Sequence, residues 1–286
     1  MTAEDPDTLL DNVITLAVEA GQAIMDIYAQ DFSVVKKDDL SPLTEADMAA
    51  HHIIVAGLEK LTPELPVLSE ESAAIPYATR ATWHRYWLVD PLDGTREFVK
   101  RNGEFTVNIA LIENHQPILG VVYVPVTGVC YYARQGQGAY KKEADSAPEK
   151  IHAHPWNGER LIVAGSQSHR SDDFDSFLVN VGNHQVISIG SSLKSCLVAE
   201  GKVHIYPRLG LTSEWDTAAA QCIVEEAGGQ LTDTALRRLR YNTKESLLNP
   251  SFLVFGDARH DWSKYVPANH AIPGLNLPSI PFPQKK

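Results

Sequence analysis

Asp90, Asp93 and Asp216 are the residues whose type and spacing point most directly to chemistry. The first two lie in the run Trp87-Leu88-Val89-Asp90-Pro91-Leu92-Asp93-Gly94-Thr95-Arg96-Glu97-Phe98, and the third in Glu214-Trp215-Asp216-Thr217-Ala218-Ala219, far downstream. Trp87 to Val89 reads as a short buried strand. Pro91 bars Asp90 from the helical region, which predicts that the strand ends there with a carboxylate at its carboxyl edge. Asp93-Gly94 then supplies a turn. Bare carboxylates converging in a partly dry cleft repel one another and lose their hydration, at a cost of several kcal/mol unless a cation compensates. A hard divalent ion fits that need: Mg2+ prefers oxygen ligands, keeps several waters, and is held through a few carboxylates and substrate phosphate oxygens. Alone, Asp93-Gly94 is an ordinary turn and Glu70-Glu71 a solvated pair; their joint occurrence with Asp90 and Asp216 favours a metal site.

The elements that must position these acids can be read from periodicity. Asp5-Pro6 opens a helix whose apolar face is Leu9, Val13, Leu16, Ala17, Ala20, Ile24 and Ile27. After a polar break at 36–42, Thr44 stands three residues before Asp47 as in a capping box, which puts Asp47 at the start of a second helix carrying Ile54, Leu58 and Leu61. Pro66 to Ser69 is extended and leads into Glu70, so a carboxylate again follows an apolar strand. From Phe105 the chain reads as an antiparallel meander closed by Gly136 and Gly138. A proline-containing stretch over 141–157 predicts a boundary between two units, 1–148 and 149–286. Beyond it strands and helices alternate: strands at Leu161–Ala164, Val186–Ile189, Val203–Tyr206 and Phe252–Phe255, and helices at Asp172–Val179, Leu193–Ala199 and Trp215–Ala227, the last stopped by Gly228-Gly229.

Composition narrows the class. The 286 residues are 44% hydrophobic and 21% charged, enough for one large or two ordinary cores. A formal net charge of -11 argues against general affinity for nucleic acid or anionic membranes, so an anionic substrate would require local basic residues. Three cysteines without CxxC spacing support neither a disulfide framework nor structural zinc and favour a reducing, cytoplasmic compartment. No run approaches the length of a membrane span, and the acidic start of the chain does not read as a signal peptide. His51-His52 and His152-Ala153-His154 lack the spacing of a helical zinc pair and read as surface or packing residues.

Glu70-Glu71, Asp90-Pro91-Leu92-Asp93-Gly94-Thr95 and Trp215-Asp216, in that order over nearly the whole chain, resemble the inositol monophosphatase superfamily of Mg2+-dependent, lithium-sensitive phosphatases. Within it, Gly190-Ser191-Ser192-Leu193-Lys194 and Tyr206-Pro207-Arg208-Leu209-Gly210 look like the bacterial 3'(2'),5'-bisphosphate nucleotidases, since inositol monophosphatases usually carry an acidic residue around the Arg208 position. The resemblance implies a layered α-β-α-β-α sandwich of α+β class. It also implies two or three Mg2+ ions: Glu70, Asp90 and the Leu92 carbonyl for one, Asp90, Asp93 and Asp216 for a second, and Asp47 toward a weaker third. Glu70 and Thr95 would prepare the attacking water. Gly94 and Thr95, opening a helix at 96–99, would receive the phosphate being cleaved. Ser191, Lys194 and Arg208 would bind the rest of the substrate, with His169 as a weaker candidate beside them; Glu70, Leu92, Asp93 and Asp216 would also line the substrate site.

The implied reaction is hydrolysis of adenosine 3',5'-bisphosphate to AMP and phosphate, with 3'-phosphoadenylyl sulfate as a second substrate and a role in sulfur assimilation. The alternatives are an inositol or broad sugar phosphatase and, remotely, a non-catalytic nucleotide or metal sensor; a sensor would not need the water-activating set that the chain retains. The partner is a small-molecule nucleotide, the chain a monomer or homodimer. Relatives of this type associate peripherally with the inner membrane face, but the sequence contains no basic amphipathic helix or lipidation motif to support that.

Overall fold

A computed structural model describes residues 6–31, 34–36, 42–72, 74–144, 146–166 and 171–270. The elements of the first half are α1 (Pro6–Tyr28), β1 (Val34–Lys36), β2 (Pro42–Thr44), α2 (Glu45–Leu61), β3 (Val67–Ser69), α3 (Tyr77–Arg80), β4 (Arg85–Asp93), α4 (Thr95–Val99), β5 (Thr106–Glu113), β6 (Gln116–Val124), β7 (Val129–Arg134), β8 (Gly138–Lys142) and β9 (Glu149–Ile151). The second half contains β10 (Leu161–Gly165), α5 (Asp172–Val181), β11 (His184–Ser188), α6 (Leu193–Ala199), β12 (Ile205–Arg208), a 3-10 turn at Glu214–Asp216, α7 (Ala218–Glu226), β13 (Gln230–Asp233), β14 (Phe252–Phe255) and a 3-10 turn at Ser263–Tyr265.

These elements form five layers, as expected. Strands β3 to β9 make a seven-stranded sheet in sequence order, parallel only at β3–β4. A second sheet runs β11-β10-β12-β14-β13, parallel around β10 and antiparallel beyond β12. Period-two alternation sorts the side chains of the large sheet: Trp87, Val89, Val107 and Ile109 face α1 and α2, whereas Tyr86, Leu88, Ala110 and Val122 face the middle layer. That middle layer is α6 and α7, shared by both sheets, and α5 covers the outer face of the second sheet with Phe174 and Phe177, packed together with Trp262 from the C-terminal loop. The described residues of α1 follow the predicted apolar face; Asp5 lies outside them.

Two expectations are corrected. Pro91 does not end its strand: β4 runs on to Asp93, and the pairing with β5 slips between Asp90 and Asp93, so the proline is absorbed in a bulge where a missing N–H is tolerated. The helix expected from Trp215 is broken at Thr217, because the chain first makes the short turn carrying Asp216 and only then enters α7. The sequence does not predict strands β1, β2, β9 and β13 or helix α3; each is three or four residues long, too short for periodicity to register.

Close packing of α7 on the large sheet depends on Gly120 of β6, where a Cβ would stand well inside contact distance of the Ala219 carbonyl. Backbone cannot give way as a flexible side chain can. Gly120→Ala is expected to destabilise the fold by about 1–3 kcal/mol or more, read from denaturant unfolding; an unchanged midpoint would show that α7 packs less tightly than described.

Candidate active site

The acids meet where the strand ends of the large sheet face the loops of the second. A cavity of about 250 Å³ is lined by Glu70, Asp90, Leu92, Asp93, Gly94, Thr95, Ser191, Lys194, Arg208 and Asp216, all singled out from the sequence, together with Ser166, Glu97, Ser192, Tyr206, Leu211, Thr212, Thr217 and Phe252. Asp47 is buried and meets the site at Thr95, whose hydroxyl it accepts from. His169 lies outside the described residues.

Each acid is set by its local backbone. Glu70 follows β3, with its N–H bonded to the Val89 carbonyl, so parallel pairing of β3 with β4 places it beside Asp90. Asp90 Oδ1 accepts the Leu92 N–H at 3.1 Å, which fixes the bulge. Asp47 forms the predicted capping box: its Oδ2 accepts from the Thr44 N–H at 2.8 Å and the Thr44 hydroxyl at 2.6 Å. Its Oδ1 accepts from the Thr95 hydroxyl at 3.1 Å, so the cap of α2 also orients Thr95. Gly94, at φ 94°, turns the chain from β4 into α4; a side chain there would meet strain and crowd Glu104 and Ser191. Asp216 Oδ2 accepts the Ser213 N–H at 2.9 Å, closing a second capping box.

Sequence reasoning missed the pair that joins the two halves. Asp93 Oδ2 accepts from the Ser192 N–H at 2.7 Å, the Ser192 hydroxyl at 2.8 Å and the Asn108 amide at 3.3 Å. Asn108 also donates to Ser192 Oγ at 2.9 Å, and Ser192 Oγ lies 2.8 Å from the Asp216 carbonyl oxygen. One serine therefore touches both halves of the divided acid set. The signal available was Asn108 itself, a polar residue set within the apolar run Val107 to Ile112 of β5, with its side chain buried.

The electrostatics are those of anions held close without enough cations. Burial, then the charges of Glu70, Asp93, Asp216 and Asp47, holds the Asp90 carboxyl well above the ordinary carboxylate range. Burial and the neighbouring Asp93 raise Asp216 likewise, against the Ser213 N–H and Arg208. Burial raises Asp93 against the opposing pull of Lys194 and Ser192. Burial brings Lys194 down to about 8, its ammonium donating to the Ser191 carbonyl at 2.6 Å and lying 5.3 Å from the Tyr206 ring. Arg208 donates to the Leu211 carbonyl at 2.9 Å, while its buried Nε has no hydrogen-bond partner among the described residues. Ser191 stands at φ 45°, an uncommon backbone for serine, between the acids and Lys194.

Family comparison agrees with this geometry. Residues 5–261 match the model of the inositol monophosphatase family, and the chain belongs to that family. A curated relative in Salmonella typhimurium, the 3'(2'),5'-bisphosphate nucleotidase CysQ, is 50% identical over 248 residues, covering 86% of this chain and 99% of the relative. The crystal structure of CysQ from Bacteroides thetaiotaomicron is 42% identical with a TM-score of 0.77, covering 88% of this chain and 98% of that one. An IMPase from Thermotoga maritima is 26% identical with a TM-score of 0.75, covering 90% and 95%.

The donor set suits a hard cation: it is made of carboxylate and carbonyl oxygens, and its acids raise one another's pKa. No three His, Cys, Asp or Glu side chains among the described residues close into a ready-made cluster. Protein donors engage an oxygen of Asp90, Asp93 and Asp216.

Asp90 binds its proton more tightly folded than unfolded, so its contribution to metal-free stability is present in acid and lost as pH rises through its raised value. Metal-free Asp90→Asn should therefore gain on the parent as pH climbs above the ordinary carboxylate range, by up to about 1.4 kcal/mol per pH unit. Unfolding free energies against pH check this; parallel profiles would contradict the electrostatic account.

Proposed function

We propose that this chain is a Mg2+-dependent phosphatase that hydrolyses adenosine 3',5'-bisphosphate to AMP and phosphate, and accepts 3'-phosphoadenylyl sulfate as a second substrate. The observation that carries the reading is the pairing, across one cavity, of the Glu70, Asp90, Asp93 and Asp216 carboxylates with the Lys194 and Arg208 cations. The names of the 40–50% identical relatives support the nucleotide substrate. Residues 1–148 would supply most of the ligands, and 149–286 would add Asp216 and the substrate cations. No helix of the described residues is long and apolar enough to cross a membrane; a cytoplasmic role in disposing of the nucleotide by-product of sulfate assimilation fits the reading.

Glu70, Asp90 and the Leu92 carbonyl would hold one Mg2+, and Asp90, Asp93 and Asp216 a second. When bound, such ions polarise the phosphoryl group, favour water ionisation and stabilise the leaving oxygen. The chain's own work is orientation. The Thr95 hydroxyl donates to Asp47 Oδ1, which turns its lone pairs toward an incoming water, and the Glu70 carboxylate takes that water's proton. The Gly94 and Thr95 N–H groups, at the start of α4, receive the phosphate being cleaved. Arg208, with Nε unpartnered among the described residues, takes the phosphate that stays.

A phosphate-release panel with Mg2+, comparing adenosine 3',5'-bisphosphate, AMP, inositol 1-phosphate and fructose 1,6-bisphosphate, tests the substrate class; preference for inositol 1-phosphate would replace this reading with the inositol phosphatase one. Asp93→Asn and Asp216→Asn are each expected to lower turnover by at least about a hundredfold with the fold intact. Near-normal turnover in saturating Mg2+ would remove those assignments. Arg208→Ala should raise KM for adenosine 3',5'-bisphosphate about 10- to 150-fold, the equivalent of roughly 1.5–3 kcal/mol, and that for a monophosphate far less. Equal losses on both substrates would show that Arg208 does not read the second phosphate.

A further inference from the structure

Asp216 sits on a turn of only three residues, Glu214–Asp216, entered from an irregular loop and left through Thr217. Its carboxylate is held by the Ser213 N–H, so the position of Ser213 decides where the second carboxylate oxygen points. What holds Ser213 comes from a distant part of the chain, the segment 241–249, which has no helix or strand of its own.

Asn249 is the centre of that grip. It is 7% exposed, and its amide nitrogen lies 2.6 Å from the Ser213 carbonyl oxygen, 3.0 Å from Thr217 Oγ1 and 3.2 Å from Thr212 Oγ1. Its backbone N–H donates to the Thr212 carbonyl at 2.8 Å. Two amide hydrogens thus serve acceptors on both sides of Asp216. The rest of the segment closes on the same turn. Ser213 pairs with Leu248 in an antiparallel bridge, the Glu214 N–H donates to the Leu247 carbonyl at 2.8 Å, and the Asn242 N–H donates to the Glu214 carboxylate at 2.7 Å. The Tyr241 hydroxyl lies 3.2 Å from Thr217 Oγ1. Arg80 of α3, 2% exposed, ties the segment to the first half of the chain: its guanidinium donates to Asn242 Oδ1 at 2.5 Å, to the Lys244 carbonyl at 3.1 Å and to the Glu245 carbonyl. The Asn242 amide donates back to the Arg80 carbonyl at 2.5 Å.

The Asn249 amide and N–H and the Asn242 N–H thus all converge on the stretch Thr212 to Thr217. We propose that the segment 241–249 is a positioning clamp for Asp216, with Asn249 as its principal donor, and that it sets the affinity of the site for its divalent cation. The clamp rests on the reading of Asp216 as a metal ligand. Asn249 does not line the cavity; it acts through Ser213 and Thr217. Partners of this kind hold a ligand's orientation, and their loss weakens metal binding by about 10- to 100-fold.

The test measures Mg2+ binding to the full chain by calorimetry without substrate, alongside the Mg2+-dependent shift in Tm and the Mg2+ dependence of phosphate release. Asn249→Asp keeps the volume but removes the donors. Thr217→Val removes the hydroxyl that Asn249 and Tyr241 grip, and Thr217→Ser retains it. Asn249→Asp and Thr217→Val are expected to weaken Mg2+ binding about 10- to 100-fold, with turnover of Asn249→Asp largely restored at saturating Mg2+ and the Mg2+ affinity of Thr217→Ser close to the parent. Should Asn249→Asp fail to fold, the Thr217 pair decides the matter. A lower metal-free Tm with unchanged Mg2+ affinity would reduce the segment to scaffolding and overturn the proposal. Asp216→Asn separates the two claims: if it loses Mg2+ while the clamp variants keep it, the clamp alone falls; if it binds Mg2+ like the parent, the ligand assignment falls and the clamp with it.

Discussion

The mutual repulsion of buried carboxylates is the constraint on which the rest of the structure depends. Asp90 is enclosed within β4, just before its bulge, and feels Glu70, Asp93, Asp216 and Asp47 at once. Such an array is unfavourable in isolation, because each acid loses hydration and faces its neighbours' charge. Every feature around it either lessens that penalty or keeps the acids from relieving it by moving apart. Ser192 and Asn108 donate to Asp93, Ser213 donates to Asp216, and the Leu92 N–H donates to Asp90. These bonds hold the carboxylates in place without neutralising them, which leaves their remaining charge for the proposed cation to offset.

The five-layer fold explains how acids so far apart in sequence converge. Strands β3 and β4 run parallel, so Glu70 and Asp90 leave the sheet at the same edge. The bulge at Pro91 lets the chain supply Asp93 one turn later while β4 stays paired to β5. From the other side, α6 and α7 are wedged between the two sheets, and their leading residues, Ser192 and Thr217, flank the same cavity. The tight contact of α7 with Gly120 fixes the depth of that wedge. Glu70, Asp90 and Asp93 from one half and Asp216, Lys194 and Arg208 from the other thus share a wall, and Ser192 is the joint between them.

Much of this was legible in the sequence, for identifiable reasons. Acids after short apolar strands, a capping box at Thr44 and a glycine before Thr95 are local signals, and local physics produced them as read. What escaped was non-local or too short to have a period. Pro91 looked like a strand stop because its pairing partner could not be seen, and Thr217 looked like helix interior because Ala218 to Glu226 continues the same composition. Asn108, Asn249 and Arg80 carry no motif; their importance comes from partners about 80, 35 and 160 residues away, respectively. Their one sequence-level mark is polarity within segments that fold inward, which distinguishes a bracing residue from a solvated one only after the contacts are known.

The central claim is that a cation replaces protons on a crowded set of acids. The most direct measurement is isothermal titration of the substrate-free protein with Mg2+ in buffers of different ionisation enthalpy, which counts the protons released on binding. Because Asp90 and Asp216 hold their protons above the ordinary carboxylate range, binding should release protons, and the number should fall toward zero as pH rises past their raised values. Binding with no proton release at any pH, or no binding at all, would contradict the account.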